Sequence, residues 1–460
     1  MTERSILAAV SGIQANQTYL DSIGNNIANA DTIGYKDSQV QFQDLLAQQI
    51  SGATAPPAGG TGGGINPVAI GSGVRVAANE INLAEGSLEQ TGIPSDVAIQ
   101  GNGYLIVQSG GQQQYTRDGS LTTDANGNLT TQTGGLIQGW QAKNGVVSTS
   151  TPIGGIQIPQ GATIPANPSS YIDLTGNLPA FSTASTPALQ ETTTYNAYDS
   201  LGNVVPVTLT FTQGTSADTW NVQGTVPNAS GTGGTYLFGS PSTYTAPSST
   251  PPAGATVKFS STGELTSISI GTSTISANSD GSYTLPVSSA AMTALAATAT
   301  SGYSFPTGAT LALDFPAPSS SNAVTQFAGS SSIQADGTDG YPPGTLQSYS
   351  IGQDGTITGS FSNGQTQALG QIALANFANP AGLADQGGGL FATSPNSGQA
   401  LVGVPGTAGR GSLLGGSLEQ SNVNLGTELT NLITAQEAYT ANTKVLTTTD
   451  QVIQALENVP

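Results

Sequence analysis

Hydrophobic side chains recur every seventh residue at both ends of the chain and every second residue between them. Near the C-terminus Leu418, Leu425, Leu432, Tyr439, Leu446 and Ile453 keep this spacing, with Leu429 on the same flank. Near the N-terminus Ile6, Ile13, Leu20 and Ile27 repeat it, with Ile23 beside them. An apolar seam this narrow predicts coiled-coil-like helices, and its presence at both ends predicts that the termini pair. In the middle, Val205, Val207, Leu209 and Phe211 alternate with Pro206, Thr208, Thr210 and Thr212, the signature of a half-buried strand. Hairpin-type turns stand at Asp118-Gly119, Asn126-Gly127 and Asp354-Gly355. The expected fold is mainly β with paired terminal α-helices and nested β-rich domains inserted between them.

The pattern divides the chain into segments. Residues 1–50 form an N-terminal helical domain, in which Val40, Phe42, Leu45, Leu46 and Ile50 read as a second, shorter amphipathic piece. Residues 51–73 are a Gly/Pro-rich connector, flexible by composition. Residues 74–155 and 340–410 make an inner β-rich domain in two segments, where Tyr104, Ile106 and Gln108 alternate with Leu105, Val107 and Ser109. Residues 156–339 make an outer β-rich middle domain, and 411–460 a C-terminal helix. The terminal helices are rich in Thr, Asn and Gly, each costing roughly 0.5–1 kcal/mol against Ala in a helix interior. They are therefore expected to order fully only when neighbouring copies bury them. One phrase occurs twice, Gly86-Ser87-Leu88-Glu89-Gln90 and Gly416-Ser417-Leu418-Glu419-Gln420, each at a border of β material.

Composition narrows the function. The formal charge is −19, from 27 acidic and only 8 basic residues, which argues against nucleic-acid binding and against docking to anionic lipid. Charged residues make up 8% of the chain against about 25% in an ordinary globular domain. With no Cys and no His, thiolate and imidazole ligands and bases are missing, and with them most zinc and triad chemistry. No run approaches the ~20 apolar residues of a membrane span. Ala28-Asn29-Ala30 imitates a cleavage site, yet Ser11 and Gly12 break the apolar run a signal peptide needs. Export would have to retain the N-terminus.

Candidate chemistry is sparse. Asp124, Asn126 and Asn128 resemble the start of a calcium loop, but Gly127 and the missing distal Glu favour a plain turn. Asp336 and Asp339 sit in Asp-Gly pairs, which are first of all turn formers. Acid pairs such as Glu85/Glu89 or Asp118/Asp124 arise by chance in any acidic chain. No catalytic residue, metal site or cofactor is expected, and the chain is read as a non-enzyme.

Two longer motifs carry a resemblance. Asn25-Asn26-Ile27-Ala28-Asn29-Ala30-Asp31-Thr32-Ile33-Gly34-Tyr35-Lys36 resembles the N-terminal signature of the bacterial flagellar rod and hook axial proteins. Ser421-Asn422-Val423, followed by Gln436, Asn442 and Asp450, is similar to their C-terminal signature. The stretch from Gly86 to Leu105 is similar to the domain that follows the first signature, and Tyr198–Asn203 with its strand resembles the middle domain of the hook members. Glu437 departs from the pattern, standing where the family often has Arg. The resemblance implies an extracellular structural subunit, exported through the flagellar type III apparatus without a cleaved signal. It would polymerise into a curved helical tube that serves as a universal joint between motor and filament. It also implies partners: copies of the same chain, the distal rod, the hook cap and the hook-filament junction proteins. A rod-type axial protein is the alternative within the family, and a secreted β-rich adhesin or surface-layer protein the alternative outside it.

Overall fold

The computed structural model describes residues 2–55, 63–181, 188–228, 231, 233–239, 243–245, 254–297, 301–306 and 308–457. Its named helices are α1 (Thr2–Ala28), α2 (Ser289–Ala296) and α3 (Leu425–Glu457). Strands make up most of the remaining regular structure, so the chain is mainly β with terminal helices that pack on each other. Contacts separate it into two compact units, residues 1–160, 348–360 and 366–460 in the first, and 161–347 with 361–365 in the second.

In the first unit α1 and α3 run antiparallel. Among the residues of the two helices, Ala9, Ala15 and Ala435 are almost fully buried. A Cβ at Gly12 would lie 2.9 Å from the Asn442 amide, so the glycine that weakens the helix by propensity is where the partner helix rests. The sevenfold positions flank this contact. Ile6, Ile13, Leu20 and Ile27 are half-buried, as are Leu432, Tyr439, Leu446 and Ile453, whereas Ile23 is buried. Leu425 and Leu429 remain 47% and 51% exposed. Close helix approach selects Gly and Ala at the centre and leaves larger residues to the edges. The threonines of α3 are accommodated by turning their hydroxyls back onto carbonyls of the preceding turn, as Thr430 does to Gly426 O and Thr434 to Thr430 O, both at 2.9 Å. Asn424 caps the start of α3, its Oδ1 accepting from the amides of Gly426 and Thr427.

Three expectations need correction. Leu418 is not on the C-terminal helix: it lies in the strand Ser417–Glu419, which pairs antiparallel with Leu88–Gln90. The segment 411–460 likewise contributes the strand Ser412–Gly415, paired with Val97–Gln100, before α3 begins. Residues 38–51 form strands rather than an amphipathic helix, Ser38–Asp44 pairing with Val74–Ile81 and Gln48–Ser51 with Val68–Ile70. The pairing around the connector narrows to a Thr54–Ile65 bridge, and residues 56–62, the heart of the expected flexible tract, lie outside the described residues.

The β core of the first unit is a sheet in which Tyr104–Ser109 pairs with Gln112–Thr116 on one side and Leu136–Gln141 on the other. Tyr104 to Val107 are buried on both faces, unlike the one-sided strand their alternation predicts. One side is covered by an aromatic cluster, in which Tyr104 and Tyr115 both meet Phe377 edge-on.

The second unit holds a larger core between two sheets. In the first sheet Val205, Val207, Leu209 and Phe211 point inward in strict alternation, as their pattern requires. Trp220, Val222, Val257 and Phe259 join them. In the other, Tyr171–Pro179 pairs in parallel with Ala312–Phe315 and Val324–Phe327 and antiparallel with Gln334–Thr338. Helix α2, capped by Ser288, inserts Met292 and Leu295 into the same core.

Candidate assembly junction

The two sequence signatures meet where α1 leaves the helical pair. Asn26, 1% exposed, holds Ser38 through both backbone groups: its Nδ2 donates to Ser38 O at 2.9 Å, and its Oδ1 accepts from Ser38 N at 3.0 Å. The Tyr35 hydroxyl donates to the same Oδ1 and accepts from Asn25 Nδ2. Asn29 Nδ2 folds back onto Asn25, and the Thr32 hydroxyl donates to Asn29 Oδ1. These bonds tie the end of α1 to the residues after it and set the turn that follows. Ala28 is exposed at the last helical position.

Gly34 is required by that turn. Its φ is +69°, and a Cβ there would meet the Arg117 backbone at 2.8 Å. Its amide donates to Glu419 O at 2.8 Å, binding the N-terminal signature to the C-terminal strand.

Glu419 is the centre of the junction. Its side chain is fully enclosed, and its carboxylate receives Lys36 Nζ at 2.5 Å, Arg117 Nη1 at 3.0 Å and the Gly86 amide at 3.0 Å. Lys36 Nζ also donates to Ala84 O, and the Arg117 guanidinium to Gly101 O and Gly103 O. Burial pulls the Lys36 ammonium below its usual range, opposed by its hydrogen bond to Glu419 and that carboxylate's charge. In a chain with 8 basic residues, two sharing one buried carboxylate mark a strongly specified site. Charge-assisted bonds of this kind are about twice as strong as neutral ones. Removing one partner of a buried pair leaves an uncompensated charge.

Asn422 completes the closure. Its Oδ1 accepts from Asp37 N at 2.8 Å, and its Nδ2 donates to Asn82 O and Ala84 O. The Ser421 hydroxyl accepts from Val423 N. The repeated phrase explains itself here, because its two copies are the strands that pair, Leu88 opposite Glu419 and Gln90 opposite Ser417. Gln420 Nε2 donates to Glu89 Oε2 at 2.6 Å across the same ladder.

The other signature residues lie along α3, away from the junction. Asn442 rests on Gly12, Asp450 accepts from Gln454 within its own helix, and Gln436 is exposed. Glu437 lines an open surface hollow with Tyr439, Thr440 and Lys444. Sequence reasoning missed Glu419, Arg117 and Asp37 as site residues. The doubled phrase was the available signal for Glu419, whereas nothing local marks Arg117. Asp124 is the turn former expected, accepting from Asn126 N, Asn128 N and Asn128 Nδ2; Asp336 instead lies in the strand Gln334–Thr338, and Asp339 accepts from the distant amides of Ser170 and Tyr171. Among the described residues no acidic cluster is arranged to hold a metal ion, and no helix is long and apolar enough to cross a membrane.

Four family models match in chain order. They are the flagella basal body rod protein over residues 6–36, the flagellar hook protein FlgE/F/G D1 domain over 98–178, the flagellar basal body protein FlaE D2 domain over 163–341, and the flagellar basal body rod FlgEFG protein C-terminal over 414–459. The chain is 33% identical over 474 residues to the flagellar hook protein FlgE of Borreliella burgdorferi, covering 98% of both chains. It is 35% identical over 452 residues to the flagellar hook protein FlgE of Escherichia coli, again covering 98% of each. The chain belongs to the flagellar hook protein family. The first family match ends on Lys36 and the last contains Glu419 and Asn422, so the buried junction joins the two terminal segments of a hook protein. A hook protein is a structural component of the flagellum.

Proposed function

We propose that this chain is the self-assembling subunit of the flagellar hook, forming a curved helical tube that passes motor torque to the filament. The observation that carries this reading is the pair α1 and α3, closed at one end by the Glu419 junction while large apolar side chains remain outside. Leu7 is 64% exposed, Ile433 58% and Val452 51%, beside Leu425 and Leu429. Helices that bury small residues against each other and keep large ones outward are built to be covered by further copies. Head-to-tail contacts between copies generate an open helix rather than a closed ring. The exposed Ile50, Ile65 and Val68 around the connector offer further apolar surface.

On this reading the subunit leaves the cell through the flagellar type III apparatus with its N-terminus retained and acts outside it. It contacts the distal rod, the hook cap and the hook-filament junction proteins. It carries no catalytic activity. The β units would face outward, where contacts rich in Ser, Thr and Gly slide without breaking many ion pairs as the tube bends. The test is polymerisation of the purified full-length chain against a core spanning residues 74–410. Tubes from the full chain alone support the reading, and a protease-resistant monomer that never assembles points to the adhesin alternative.

A further inference from the structure

Two carboxyls where α1, the turn after it and α3 converge have an oxygen that no group among the described residues satisfies. Glu428 stands in the first turn of α3, and Asp37 follows Lys36 in the chain; each is 6% exposed. Asp37 Oδ1 and Glu428 Oε2 are enclosed and without a hydrogen-bond partner. The nearest cations are committed elsewhere, Lys36 to Glu419 and Ala84 O, and Arg117 to Glu419, Gly101 O and Gly103 O.

The other groups facing this point are neutral. They are Tyr19 and Asn26 from α1, Tyr35 from the turn, and Asn431 from α3 itself; a further carboxylate, Asp385, lies beyond Tyr35. Burial first, and then the surrounding carboxylates, holds both tyrosines above their usual range, so neither brings a charge at neutral pH. The amides at the start of α3 favour an anion there, and Asn26 and Asn431 bond to Glu428, but these do not offset two enclosed negative charges whose facing oxygens lack donors.

We propose that Glu428 keeps its proton in the folded chain, and that this neutral carboxyl beside Asp37 latches the turn after α1 onto the start of α3. With the proton on Glu428 one negative charge is removed and a donor is added, so the pair carries one charge in place of two. Burial, and then the charge of Asp37, raises the proton affinity of Glu428; hydrogen bonds with Asn26 and Asn431 oppose this. A carboxyl that holds its proton more tightly folded than unfolded stabilises the fold as pH falls through its raised value. That stability is lost as pH rises through it. The proposal concerns the single chain and does not depend on the assembly reading.

The test uses the full-length chain, with the melting of the α1–α3 pair followed by its far-ultraviolet helical signal at pH 5.5 and pH 8. The native chain is expected to melt at least ~3 °C higher at pH 5.5. Glu428→Gln is expected to match that value at pH 8 and to lose most of the difference between the two conditions. Equal pH dependence in the native chain and the variant overturns the proposal. So does stabilisation of the native chain at pH 8 by sodium or calcium chloride that Glu428→Gln lacks, since a cation would then fill the place given to the proton. If Glu428→Gln does not fold, a carbon-13 titration of the Glu428 carboxyl in the native chain decides. Titration above the ordinary carboxylate range supports the proton on Glu428, and an ordinary or depressed value overturns it.

Discussion

Lys36 and Glu419, separated by 383 positions in the chain, meet as a buried ion pair that makes the two ends one structural element. Glu419 also holds Arg117 and the amide of Gly86, so its carboxylate joins the N-terminal turn, the inner β material and the strand leading to α3. Glu419→Gln leaves two buried cations without their counter-charge. The expected loss is about 3–5 kcal/mol of stability in the first unit, read as a lower urea midpoint. Lys36→Met should cost less, because Arg117 keeps the carboxylate paired.

Two glycines near the N-terminus should respond in opposite directions. Gly34→Ala places a Cβ against the Arg117 backbone at positive φ, so it is expected to destabilise by at least ~1–3 kcal/mol. Gly24→Ala meets nothing within 4 Å on an exposed face of α1, and should stabilise by roughly 0.5–1 kcal/mol. Thermal melts of the two variants side by side check both signs.

The second unit should grow more stable on mild acidification. Burial, and then the charges of Asp314, Asp336 and Asp339, holds the Asp173 carboxyl above its usual range. The folded state therefore keeps that proton to higher pH than the unfolded chain, and its stabilising effect fades as pH rises through the raised value. Asp173→Asn should raise the melting temperature at pH 7 and flatten the dependence between pH 4 and pH 7, as scanning calorimetry would record.

Much of this organisation was legible in the chain, for identifiable reasons. The sevenfold spacing of Ile6 to Ile27 and of Leu425 to Ile453 announced two terminal helices, and the strict alternation from Val205 to Phe211 announced a core strand. The sevenfold phase nevertheless pointed at the edges of the helix pair. The closest contact shown with the partner helix is at Gly12, and the buried Ala9 and Ala15 beside it are too small to register as an apolar stripe. The strand Ser38–Asp44 also had a signal, since Gln39, Gln41 and Gln43 alternate with Val40 and Phe42, but the helical frame on either side obscured it. Leu418 fell in phase with the helix behind it while belonging to a strand whose partner lies more than three hundred residues away. The Lys36–Glu419–Arg117 cluster could not be read from local pattern, because only the folded topology brings those residues together.

The central claim is that the outward apolar face of the closed terminal pair drives assembly, and electron microscopy of the full-length chain tests it most directly. Leu425, Leu429 and Ile433 are exposed on α3, so replacing all three with Ser should leave the monomer's helical signal and melting point nearly unchanged. The native chain is predicted to form tubes under assembly conditions while the triple variant stays monomeric. Tubes of the same form from both proteins would contradict the account.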